Sequence, residues 1–101
     1  MSSQQSEQDF DRLRFSSIEE RLAAIKQLCR GLEAVRVQWD SMSSEWIAEA
    51  PVNGKTTTTG ASPDEAIDKL WEILSKSIVT LTYPDREDQQ FKWDGQRWVI
   101  V

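Results

Sequence analysis

Hydrophobic positions along this chain recur at helical spacing, then alternate, then return to helical spacing and alternate again. Ile18, Leu22, Ile25, Cys29 and Leu32 form the first helical stripe, with Glu19, Glu20, Lys26, Gln27 and Arg30 off it. Ser17-Ile18-Glu19-Glu20 ahead of the stripe has the form of a capping box, and Gly31 marks the C-terminal end. In "AVRVQWD" the period becomes two: Val35, Val37 and Trp39 face one way, and Arg36, Gln38 and Asp40 the other. "SMSS" is a turn, and "EWIAEA" alternates again with Trp46, Ala48 and Ala50 on one side. These segments predict a hairpin with one buried face.

"NGKTTTTG", residues 53–60, carries the Gly-Lys-Thr that ends a phosphate-binding loop. That loop needs a glycine five residues before Gly54, where Glu49 stands, and a helix directly after the Lys-Thr pair. Asn-Gly is instead the preferred type I′ hairpin turn, and a run of threonines suits a solvated strand. The second helix opens at "SPDEA": Ser62 is the N-cap, Pro63 takes N1, and Asp64 and Glu65 favour the positive helix end. Ile67, Leu70, Trp71, Leu74 and Ile78 form its expected buried stripe, flanked by Ala66 and Ile73. "IVTLTY" reads as a strand, "PDRED" as a turn, and "QFKW-DG-QRWVIV" as a second tight hairpin. A two-residue turn at Asp94-Gly95 would set Phe91 opposite Trp98 and put Phe91, Trp93, Trp98 and Ile100 on one face.

The expected fold is α+β: an antiparallel sheet with two helices on one face, in the order α-β-β-β-α-β-β-β, ending in a Trp-rich hairpin. Residues 1–16 form a polar arm with Phe10, Leu13 and Phe15 as anchors, and residues 17–101 a single domain. The arm either docks on its own domain or binds a partner.

Composition narrows the chemistry. Five tryptophans in 101 residues supply much of the apolar area that a small core needs. The net charge of -5 lacks the basic footprint of a non-specific nucleic-acid binder. Cys29 is the single cysteine and lies on the apolar stripe, so it reads as a buried structural thiol. With no histidine, Ser-His and Cys-His catalysis and the commonest zinc ligand are excluded. No signal peptide and no apolar run of membrane length is present, which predicts a cytoplasmic protein without membrane contact. The acidic clusters Asp64/Glu65/Asp68 and Asp85/Glu87/Asp88 are accounted for by helix capping and by a solvated turn. No enzyme, cofactor or metal is expected.

The α-β-β-β-α order of residues 17–77 is that of the double-stranded-RNA-binding fold. That fold reaches phosphates through lysines at the start of its second helix. Here the place is held by Ser62-Pro63-Asp64-Glu65, whose carboxylates repel phosphate. Residues 45–74 resemble the N-terminal domain of HicB-type antitoxins at Trp46, Ala48, Glu49, Pro51, Gly54, Thr59, Gly60, Ser62, Pro63, Glu65, Ala66 and Leu70. The usual Pro-Gly-Cys-like loop is replaced by Val52-Asn53-Gly54, a helix is added in front, and a Trp-rich hairpin stands in place of a DNA-binding domain. The resemblance covers under a third of the chain and implies a β-β-β-α core with a protein-binding role.

The candidate contact residues are Phe91, Lys92, Trp93, Arg97 and Trp98 of the hairpin, with Phe10 and Leu13 of the arm. The tryptophans serve either as core or as an aromatic face rimmed by Lys92 and Arg97 that binds a partner. The expected function is a small non-catalytic regulator or inhibitor, antitoxin-like or phage-type, acting by direct contact with another protein. The alternative is an RNA- or single-stranded-DNA-binding module that stacks bases on the same hairpin. A homodimer is compatible with the sequence.

Overall fold

The computed structural model describes residues 17–101. The expected arm, with Phe10 and Leu13, lies outside the described residues. The elements are α1 (Ile18–Leu28), β1 (Arg36–Asp40), β2 (Glu45–Ala50), β3 (Thr56–Gly60), α2 (Pro63–Ser75), β4 (Val79–Leu81), β5 (Gln89–Trp93) and β6 (Trp98–Ile100). This is the mixed α+β order that the periodicity predicts. The six strands divide into two antiparallel three-stranded sheets, β1-β2-β3 and β4-β5-β6.

Both helices start where their capping signals place them. Ser17 Oγ accepts from the Glu20 amide at 3.2 Å, and Ser62 Oγ from the Glu65 amide at 3.1 Å. α1 stops at Leu28, and Gly31 follows at a φ of +86°. α2 stops at Ser75, and the Ser77 hydroxyl donates to the Ile73 carbonyl at 2.8 Å. That early stop breaks the helical phase, so Ile78, expected on the buried stripe, is 50% exposed. Ala66, Ile67, Leu70 and Leu74 are the buried positions of α2, while Trp71 is only partly buried.

α2 packs across the first sheet, chiefly on β3 and β2. The sheet presents small residues to it: Ala48 and Ala50 are fully buried, and Thr58 faces Ala48 in register. The buried Thr58 hydroxyl is satisfied by donating to the Ala66 carbonyl at 2.7 Å. Gly60 lies where the helix comes closest. A Cβ there would stand 2.7 Å from the Ala66 amide nitrogen, so no side chain fits. Ile25, Leu28 and Cys29 of α1 and Val79 and Leu81 of β4 join the same core. Between the helices, Arg21 pairs with Asp68.

The second sheet stays separate because the free side of β4 is already occupied. Asn53 and Gly54 take the positive φ values of +54° and +82° that the Asn-Gly turn predicts. The loop is longer than the minimal turn, since Ala50 pairs with Thr56. It folds inward, burying Val52 completely. The Asn53 amide then donates to the Thr80 carbonyl at 2.8 Å, and Asn53 Oδ1 accepts from the Thr80 amide at 2.8 Å. One asparagine thus takes the place of a neighbouring strand. Because residues 53–60 form a loop and then a strand, the backbone of a phosphate-binding loop is not built here.

Candidate protein-binding site

The C-terminal hairpin begins with its turn. The Asp94 carboxylate accepts from the Gln96 amide at 2.7 Å and the Arg97 amide at 2.8 Å. These bonds lower its pKa from the ordinary carboxylate value, the Arg97 amide contributing most. The Asp94 amide donates to the Arg97 carbonyl at 3.0 Å, and Gly95 takes a φ of +105° at the tip. Asp94 therefore stands at the first corner of the turn rather than at its tip, as a short side chain that bonds its own backbone prefers. The register shifts by two from the expected one: Trp93 pairs with Trp98, and Phe91 with Ile100. An even shift leaves the faces unchanged, so Phe91, Trp93, Trp98 and Ile100 do share one side.

Along that face burial falls from the core outward. Val79 and Leu81 are fully buried, Phe91, Trp93 and Trp98 partly buried, and Ile100 is 67% exposed. Trp71 of α2 meets the two hairpin tryptophans. Its ring centroid lies 4.9 Å from that of Trp93 and 6.0 Å from that of Trp98, and Trp93 and Trp98 are 5.2 Å apart. All three contacts are edge-to-face, the favoured arrangement of aromatic quadrupoles. Trp98 is further held by its indole N–H, which donates to the Ala24 carbonyl of α1 at 3.0 Å. Among the described residues, Trp93 has no such anchor. The two cations are not equivalent. Lys92 pairs with Val99 and so lies on the opposite face from the tryptophans, whereas Arg97 extends from the turn near Asp94, 3.8 Å away.

The other chemistry-bearing groups are committed elsewhere. Burial pushes the Cys29 thiol up to about 11, so it stays protonated at neutral pH. Glu65 pairs with Lys69 at 3.2 Å, and Asp68 with Arg21. Asp85, Glu87 and Asp88 lie exposed in the loop between β4 and β5. Among the described residues, no three His, Cys, Asp or Glu side chains converge as a metal site would need, and no helix is long and apolar enough to cross a membrane.

Two features escaped the reading of the sequence. Trp71 completes the aromatic cluster, although its spacing assigned it to the core stripe. Trp39 and Trp46 pair across β1 and β2 with centroids 5.8 Å apart, leaving Trp39 50% and Met42 95% exposed. Equal spacing of the two tryptophans from the four-residue turn was the available signal. No protein-family model matches the chain, and no curated protein or solved structure is significantly similar to it.

Proposed function

We propose that this protein is a small non-catalytic regulator or inhibitor, antitoxin-like or phage-type, that acts by binding another protein through the tryptophan face of its C-terminal hairpin. The observation that carries the reading is the incomplete burial of Trp71, Trp93 and Trp98 beside exposed Ile100. Rigid aromatic side chains left partly accessible are the usual anchors of protein interfaces. The resemblance of residues 45–74 to the HicB-type antitoxin domain supports a protein partner. The carboxylates of Asp64 and Glu65 at the start of α2 disfavour a phosphate backbone there.

Trp93 is the residue to vary, because it has the ring contacts but not the hydrogen bond to α1. Affinity capture from the native host, using the full chain and its Trp93→Ala variant, tests the reading. A protein recovered in stoichiometric amount by the wild type and lost by the variant, with the fold retained by circular dichroism, is the expected result. Recovery of RNA without a stoichiometric protein, or undiminished capture by Trp93→Ala, would overturn it.

A further inference from the structure

We infer that the protein forms a symmetric homodimer through the free edge of β3, joining two first sheets into one six-stranded antiparallel sheet. This inference stands independently of the tryptophan face. Among the described residues β3 is an edge strand, and its sequence TTTTG is free of proline and charge, which are the common means of blocking an edge. The other edges differ. β1 carries Arg36 and Asp40, β4 is covered by Asn53, and β6 has only three residues.

Beside the β3 edge runs a groove of about 370 Å³, lined by Thr57, Thr58 and Thr59 and by Lys69, Glu72 and Ile73 of α2. Ile73 is 46% exposed there. The charges along this flank of α2 alternate in sign, Glu65, Lys69, Glu72, Lys76, and pair within the helix, Glu65 with Lys69 and Glu72 with Lys76, so a second copy would extend these pairs into a network. Such a row is self-complementary when a second copy runs antiparallel to it. A twofold axis midway between Lys69 and Glu72 sets Lys69 against Glu72 of the second copy, and Glu65 against its Lys76. The groove has Thr57, Thr58 and Thr59 on its strand side and Lys69, Glu72 and Ile73 on its helix side, and the Thr58 hydroxyl ties the strand to α2 at the Ala66 carbonyl. The proposed axis runs through this groove, so that the strand pairing and the charge row share it.

The dimensions agree. Strands are spaced by about 4.8 Å. With α2 lying over β3 and β2, pairing β3 with its copy brings the two helices to about 10 Å, the distance of packed helices. An isologous contact of this kind closes on itself.

Sedimentation of the full chain over a concentration series tests the proposal, together with hydrogen exchange of the β3 amides. The expected result is a monomer–dimer equilibrium, with residues 56–60 protected more strongly at high concentration. Lys69→Glu and Glu72→Lys should each weaken dimerisation by about tenfold, because each places like charges across the axis twice. Mixing the two variants should restore a heterodimer, and the double exchange should restore the homodimer. The charged side chains are exposed, so the monomer's melting temperature serves as a control for folding. A monomer at every concentration, a dimer indifferent to the single variants, or failure of the mixture to recover would overturn the proposal. So would protection of the β3 amides only by a different protein.

Discussion

Asn53 joins the two sheets with a single side chain and one amide. Its positive φ is tolerated because asparagine, after glycine, visits the left-handed region most readily. Replacing it separates the two contributions. Asn53→Gly keeps the backbone and loses the acceptor for the Thr80 amide, a cost of about 1 kcal/mol. Asn53→Ala also forces a side chain into a left-handed residue, for a total of about 2 kcal/mol. Asn53→Asp retains an acceptor and should rank closest to wild type. Urea denaturation of the three variants checks that order. Gly60→Ala should cost about 1–3 kcal/mol, since its Cβ meets the Ala66 backbone nitrogen and the near end of the Glu65 side chain, neither of which can swing away. Cys29 supplies a pH test. Its folded pKa lies above the ordinary 9.0, so the stability it confers is complete below 9 and is lost as pH rises toward about 11. Thiol labelling of the native protein at pH 8 should accordingly be much slower than in denaturant, and Cys29→Ala should flatten the alkaline loss of stability.

At the scale of elements, β6 is tied to α1 rather than only to its neighbour β5. The tie is the indole of Trp98, which reaches the Ala24 carbonyl from far along the chain. Trp98→Phe keeps an aromatic ring in the cluster and loses the hydrogen bond, which should cost about 1 kcal/mol. Trp98→Ala removes the ring as well and should cost about 3 kcal/mol. Trp98 thus has a structural tie whether or not it also meets a partner, and Trp93 is the better separator of binding from folding. Calorimetric melts of Trp98→Phe, Trp98→Ala and Trp93→Ala check the ranking, with Trp93→Ala expected to shift the transition least among the alanine variants.

For the whole molecule, the question is whether the second sheet folds on its own. Three short strands rarely do. Val79 and Leu81 are buried in the same core as Ile25, Leu70 and Leu74, and the Asn53 and Trp98 contacts bind the sheet on two sides. The protein should therefore unfold in one cooperative transition. Tryptophan fluorescence reports both aromatic clusters and far-ultraviolet circular dichroism reports the helices, so their denaturation midpoints should coincide. Two separated midpoints would show that the hairpin sheet melts independently.

The local signals of the chain were sufficient for the elements themselves. Ser17 and Ser62 bond the amides that their spacing predicts, Pro63 stands at N1, and Asn53-Gly54 adopts the expected positive φ values, because caps and turns depend on neighbours a few residues apart. Alternation likewise placed Ala48, Ala50, Phe91, Trp93 and Trp98 on the correct faces, since side-chain direction in a strand follows residue parity. What the sequence left open were contacts between residues distant along it. Parity does not distinguish registers that differ by two, so only the Asp94 turn decided that Trp93 faces Trp98. Nor does periodicity show where α2 stops, and Ile78 lost its place in the core for that reason. The division into two sheets, the meeting of Trp71 with the hairpin and the placement of the α2 charge row beside the β3 edge arise from packing between elements, which only the tertiary structure decides.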